Sequence, residues 1–203
     1  MPVAAIQAST LTANRAMSGA AIANDDGRLT LESSTVTGNQ AYVPCPDCVD
    51  FDPPGRGSAG ISSFRGELRL RDVTIADHEC AAALSPCEGG LVSSAGPAEI
   101  TGSNTIIADN DGSDCGAYPS GALSLVVTGS SMDSDSTCPG FIVHGDARLA
   151  PLAENGGPTP TRAPLPGSPA LDGGDGCFAR DQRGLPRARS AADRCDIGAF
   201  EVQ

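Results

Sequence analysis

A motif that returns four times constrains this chain more than any other feature. Ser9-Thr10-Leu11-Thr12-Ala13-Asn14 is followed by Ser34-Thr35-Val36-Thr37-Gly38-Asn39, then by Val73-Thr74-Ile75-Ala76-Asp77-His78 and Thr105-Ile106-Ile107-Ala108-Asp109-Asn110. The central apolar residues Leu11, Val36, Ile75 and Ile107 lie 25, 39 and 32 residues apart. A period of a few tens of residues marks a chain that coils repeatedly through one supersecondary unit, each copy burying its apolar side against the next.

The two longer intervals exceed 25 by 14 and 7 residues, and each holds a visible insertion. Residues 44–57, PCPDCVDFDPPGRG, sit in the first, and Cys80 and Cys87 bracket a Ser-Pro step in the second. Both read as loops set into a unit of about 25 residues. Each unit also carries a short β-type run: Leu29-Thr30-Leu31, Leu68-Arg69-Leu70, Ala98-Glu99-Ile100, and Leu123 to Val127. Apolar and polar residues alternating between Gly, Asn and Asp predict half-buried strands. Strands this short bury no core alone. Coiled so that each turn sits about 4.8 Å above the last, they pair in parallel and stack like residue on like. The predicted fold is all-β, a single-stranded parallel β-helix, or solenoid, of about five rungs.

Composition is consistent with this only because of the repeat. Leu, Ile, Val and Phe make up about a fifth of the chain and the net charge is −12, values that alone indicate disorder. A narrow stacked interior instead needs few large side chains and has no room for tryptophan. All thirteen basic residues are arginine, and a negative chain without lysine is a poor nucleic-acid partner. No window is apolar over 18 residues, so no transmembrane helix is expected.

Three residues beyond each central apolar position stand Asn14, Asn39, His78 and Asn110. Stacked amides can hydrogen-bond from turn to turn, and Asn tolerates the left-handed backbone of a corner. The spacing predicts a structural ladder in which His78 takes an Asn position.

The S/T-T-φ-T-G/A-N runs resemble the repeats of right-handed parallel β-helix proteins of the bacterial surface. Over Leu149 to Gln203 the resemblance has four motifs in order. They are Leu152-Ala153-Glu154-Asn155-Gly156-Gly157-Pro158-Thr159, Gly167-Ser168-Pro169-Ala170-Leu171-Asp172-Gly173, Asp181-Gln182-Arg183-Gly184 and Cys195-Asp196-Ile197-Gly198-Ala199-Phe200-Glu201. This series is similar to the choice-of-anchor Q domain, which follows β-helix repeats in exported proteins. The resemblance implies a right-handed coil over residues 1–148 and a Gly/Pro-rich C-terminal cap over 149–203. It implies a secreted or outer-surface protein with a structural, adhesin-like role toward a surface glycan or protein, and no cofactor. The chain opens inside a rung without a leader, which implies missing N-terminal rungs and an open end able to self-associate. The alternative that such architecture admits is a glycan-active enzyme, pectate lyase-like or a polysaccharide hydrolase.

Eight cysteines in a chain that looks exported favour disulfides. Spacing points to the sequential pairs Cys45–Cys48, Cys80–Cys87, Cys115–Cys138 and Cys177–Cys195, although eight cysteines allow about 105 pairings. Cys45-Pro46-Asp47-Cys48 lacks the second pair of a zinc site and the βαβ setting of a redox motif.

Candidate chemistry is thin. Asp109, Asp111 and Asp114 flank a glycine turn and could offer oxygens to calcium, but Asp, Asn and Gly are also what solvated turns require. Asp133 with Asp135, and Asp172 with Asp175, are thinner versions. A glycan hydrolase needs paired carboxylates, and none is fixed by spacing; His144-Gly145-Asp146 has no assigned partner. Arg180, Asp181, Arg183, Arg187, Arg194, Asp196 and Glu201 alternate in sign. They read as a salt-bridge network bracing a segment with little apolar content, with a ligand pocket as the other possibility. From Leu149 onward the segment is expected to act as a lid, with Leu149, Leu152, Leu165 and Leu171 over the open end of the coil.

Overall fold

The computed structural model describes residues 1–42, 57–81, 87–94, 99–118, 123–187 and 194–203. Among them every regular element is a β-strand, and the strands recur in passes. The first pass runs β1 (Val3–Gln7), β2 (Thr10–Thr12), β3 (Arg15–Ala16) and β4 (Ile22–Asp25). The second runs β5 (Arg28–Thr37), β6 (Gln40–Ala41), β7 (Gly57–Ser58) and β8 (Ile61–Phe64). The third is β9 (Glu67–Ala76), β10 (Glu79–Cys80), β11 (Cys87–Glu88) and β12 (Leu91–Ser94). The fourth holds β13 (Glu99–Ser103), β14 (Ile106–Ala108) and β15 (Cys115–Tyr118), and β16 (Leu125–Val127), β17 (Met132–Asp133) and β18 (Val143–His144) end the series.

All pairings between these strands are parallel, and each pass returns to the same sheets. The largest sheet takes β1, β5, β9, β14, β17 and β18 along its path, with β2, β13 and β16 attached. The others run β3-β6-β10, β4-β8-β12-β15 and β7-β11. Leu11 pairs with Val36, Val36 with Ile75 and Ile75 with Ile107. The sequence spacings of 25, 39 and 32 residues are therefore register offsets between neighbouring strands. The extra residues of the longer intervals leave the register intact because they fall between sheets. The strand expected from Leu123 is shorter, Leu125–Val127, and two more strands follow it.

β5 and β9 are continuous for ten residues, whereas the corresponding strands of the first and fourth passes are split in two. All four bend at the same level, where Ala8, Ser33, Asp72 and Asn104 adopt positive φ of 47°, 41°, 54° and 46°. A second left-handed column follows at Ala13, Gly38, Asp77 and Asp109, with φ of 58°, 62°, 61° and 58°. These are the residues before Asn14, Asn39, His78 and Asn110. The expectation that the ladder residues themselves take the left-handed conformation is corrected. The corner turns one residue earlier, which leaves the ladder side chains free to bond along the stack.

Alternation across the strands gives the main sheet two covered sides. Leu31, Val36, Leu68, Ile75, Ile100 and Ile107 face an inner cluster shared with Ile61 and Leu91 of the β8–β12 sheet. Ala76, Ile106, Ala108 and Met132 face the other way, into a second cluster with Ala147, Leu149, Ala170 and Ile197.

That second cluster corrects the expected cap. The C-terminal segment does not lie across the end of the strand stack; it runs back along its flank. Its hydrogen bonds reach Asn104 and Ser130 near one end and Thr35, Thr10 and Ala8 near the other. Leu165, assigned to the lid, is 42% exposed. The physical reason is that Thr10, Thr35, Thr74, Ile106 and Met132 form one outward column. Five stacked residues with hydroxyl and methyl groups need a cover more than the short end does. Cys138 and Phe141, from the stretch after β17, join the inner cluster instead.

Candidate functional site

The C-terminal segment meets the main sheet along a seam, and the seam is the candidate site. Its floor is the last outward position before the first bend: Gln7, Glu32, Arg71 and Ser103, adjacent in register. Its wall is the stretch from Asp175 to Asp181. Two anchors set the wall's distance. Asn104 donates to the Asp175 carbonyl at 2.6 Å and accepts the Asp175 N–H at 3.0 Å. The Phe178 N–H donates to Asp72 Oδ2 at 2.9 Å. Between them Arg71 lies over the Phe178 ring, 3.8 Å from its centroid, and donates to the Gly176 carbonyl.

The Arg71–Phe178 contact divides the seam into two clefts. One, of about 510 Å³, lies among Arg71, Ser103, Thr128, Gly129 and Asp175. The other, of about 350 Å³, lies among Gln7, Glu32, Ser33, Phe178 and Arg180. The lining is hydroxyl, amide, carboxylate and guanidinium with one aromatic ring. Arg71 and Arg180 face the carboxylates of Glu32, Asp175 and Asp181, so cations and anions alternate along the seam.

Behind the wall the alternating charges form a buried network. Arg187, fully buried, donates to Glu201 Oε2 at 2.9 Å and to the carbonyls of Asp196 and Gly198, and its Nη2 lies 4.0 Å from Asp72. Glu201 also accepts the Asp196 N–H, and Asp196 accepts the N–H groups of Asp172 and Val202. Arg183 pairs with Asp181 at 2.7 Å and covers the Phe200 ring at 3.7 Å. Burial pushes the carboxyls of Asp72, Asp196 and Glu201 above the usual range, Arg187 pulling each part of the way back. Arg180 and Arg194 bond to nearby carbonyls, of Gly184 and Gly173. Most donors here bond within the network, although Arg187 Nε has no hydrogen-bond partner among the described residues, and the pattern is one of bracing rather than of an open pocket.

The ladder residues are brought into one column. The backbone N–H of Asn14 donates to Asn39 Oδ1, that of Asn39 to His78 Nδ1, and that of His78 to Asn110 Oδ1, at 3.0, 3.1 and 3.2 Å. Amide stacking is secondary; the repeated bond runs from backbone to side chain. Burial lowers the His78 pKa from 6.5 to about 4.

The calcium candidates are not brought together. Asp114 is buried and accepts from Asn110 Nδ2 and from Ser134, and Asp111 accepts the Cys80 N–H. Asp109 lies near Asp77, Asp146 and Arg162. Among the described residues no three His, Cys, Asp or Glu are grouped to hold an ion. The carboxylates of Asp111 and Asp114 are taken up by N–H and O–H donors instead.

Disulfides join Cys80 to Cys87, Cys115 to Cys138 and Cys177 to Cys195. Cys45 and Cys48 lie outside the described residues.

One pair escaped the sequence reading. Asp133 follows Ile107 in the inner column and is fully buried, accepting the Cys138 N–H and the Nδ1–H of His144 at 2.5 Å. The sequence singled out Asp133 only beside Asp135 and His144 only without a partner; nothing in it joined the two, because an aspartate at that position breaks the apolar pattern used to find the repeats. Compared with protein-family models, curated proteins and solved structures, the chain has no match in any of the three.

Proposed function

We propose that this chain is part of an exported surface protein: a right-handed single-stranded parallel β-helix whose flank carries a choice-of-anchor Q-like segment, serving as a non-catalytic, adhesin-like interaction scaffold. The observation that carries the reading is the seam groove. It runs along the stack axis, is lined by both cations and carboxylates, and stands on a braced frame. The unbroken registers over successive passes support the coil. The disulfides support an oxidising location outside the cytosol. A shallow groove that mixes apolar surface with charged, amide and hydroxyl groups and one aromatic ring suits the amphipathic faces of a surface glycan.

A glycan array probed with the chain and with Arg71→Ala and Phe178→Ala tests this. The expected result is saturable binding to a defined glycan set, weakened tenfold or more in both variants at unchanged circular dichroism. Binding that is absent, or indifferent to both substitutions, would remove the groove from the proposal.

A second reading, a glycan-active enzyme, has one observation in its favour: the buried Asp133 carboxylate orients His144, whose side chain is 43% exposed. An oriented imidazole can serve as a general base. Product analysis on acidic and neutral polysaccharides, with His144→Ala as control, separates the two readings.

A further inference from the structure

Arg71 crosses the seam at its midpoint. It stands on the third pass, between Glu32 of the second and Ser103 of the fourth. From the floor its guanidinium reaches the wall, where Nη2 donates to the Gly176 carbonyl at 2.9 Å and the planar group lies over the Phe178 ring. The groove is therefore barred in the middle. The smaller cleft lies over the first two passes, and the larger one over the fourth pass and the residues that follow β16.

Both ends of the bar are fixed. On the floor side Arg71 is followed by Asp72, buried at the left-handed bend, whose Oδ2 accepts the Phe178 N–H. On the wall side Asn104 both donates to Asp175 and accepts from it, and Cys177 is joined to Cys195. Gly176 takes a φ of 59°, a left-handed turn that glycine makes without strain. Swinging the arginine aside would break a hydrogen bond and a cation–π contact at once.

The larger cleft ends at this bar. Its other lining groups include the side chains of Ser103, Thr128 and Asp175 and the backbone of Gly129. Asp175 Oδ1 accepts the Ser130 N–H at 3.0 Å, and a Cβ on Gly129 would come within 2.6 Å of that oxygen. The wall thus descends onto the floor where only a glycine fits.

An internal unit of a linear glycan carries a glycosidic bond on either side, so its chain must leave a cleft in two directions. A terminal unit leaves in one, and it bears a free hydroxyl in place of the second linkage. A cleft closed at one end admits the terminal unit and excludes the internal one. At the closed end the Arg71 guanidinium presents N–H donors in a planar fork, and Asp175 is an acceptor for the hydroxyls of the same unit.

We propose that the larger cleft recognises the terminal sugar unit of a glycan chain, with Arg71 as the stop that sets this specificity. The proposal rests on the glycan-binding reading of the seam and adds which part of the glycan is held.

The test uses the full chain on an array of linear oligosaccharides. Each is presented in two forms, with a given unit at the free terminus and with the same unit capped by one further sugar. Tethering each oligosaccharide through either end in turn tells the two termini apart. The expected result is binding to the uncapped form, with capping weakening it by about tenfold or more. Arg71→Gln is too short to span the seam; at unchanged circular dichroism it should bring the ratio of uncapped to capped binding down to about one. Equal binding of both forms by the wild type overturns the terminal assignment and leaves the groove as a glycan site. A preference that survives intact in Arg71→Gln also overturns it, because the stop is then not Arg71. Absence of binding to every glycan defeats the glycan reading itself, and this inference with it. The wild-type comparison needs no variant and decides by itself.

Discussion

The hydroxyl of Thr35 donates to Oε1 of Gln182 across 2.6 Å, in a buried contact between residues 147 apart in sequence. The other end of the same amide donates to Thr10 Oγ1 at 2.8 Å and to Thr159 Oγ1 at 2.9 Å. One glutamine thus reads two successive threonines of the outward column and ties in a second part of the C-terminal segment.

Gln182→Leu should therefore destabilise the fold by about 1–3 kcal/mol, since it leaves the buried Thr35 hydroxyl without its partner while keeping side-chain volume. Thermal melts and denaturant titrations measure this. An unchanged midpoint would show that the segment is held by its own network and not by the threonines.

Removing Arg187 should cost more. Its guanidinium is fully buried against Glu201 and near Asp72. Arg187→Leu strands two buried carboxylates and should lower stability by about 3–5 kcal/mol at pH 7. The loss should shrink at pH 5, where those carboxyls, already raised by burial, take up protons more easily. A loss independent of pH would mean that packing, not charge, sets the cost.

The pH dependence of wild-type stability has two opposed parts. His78 is depressed from 6.5 to about 4, so the unfolded chain binds more protons between those values. Its contribution is present above about pH 6.5 and is lost as the pH falls toward 4, a difference of about 3 kcal/mol. Asp72, Asp114, Asp196 and Glu201 are shifted upward by burial. The folded chain holds their protons more tightly, so they add stability as the pH falls through their raised values. Subtracting the His78→Asn stability curve from the wild-type curve isolates the first part. A flat difference from pH 7 to pH 4 would contradict the buried neutral imidazole.

The disulfides should contribute unequally. Cys115–Cys138 spans 23 residues and Cys80–Cys87 spans 7. Loop-closure entropy assigns about 3 kcal/mol to the first and about 2 kcal/mol to the second. Cys115→Ser with Cys138→Ser also opens the end of the inner cluster. Comparing the two double-serine variants by chemical denaturation checks the order, and a larger loss for the short loop would reverse the argument.

The sequence by itself determined the spacing of the strands. Leu11, Val36, Ile75 and Ile107 announce their own pairing, because stacking like on like is the one way such short strands share a core, and inserted loops leave the offsets intact. The ladder positions Asn14, Asn39, His78 and Asn110 were legible for the same reason. So was the bracing role of Arg183, Arg187, Asp196 and Glu201, since charges so dense in a segment with little apolar content must satisfy one another.

Only the tertiary structure decided what the C-terminal segment covers. Its leucines and prolines suit an end or a flank equally well, and the choice falls to the outward faces of Thr10, Thr35 and Thr74, whose partners lie more than a hundred residues away. The seam groove exists only because two distant stretches meet there, so neither stretch encodes it alone. The pairing of Asp133 with His144 was hidden for the opposite reason: Asp133 stands at an apolar position of the repeat, and only the fold supplies the Cys138 N–H and His144 that make a buried carboxylate tolerable there.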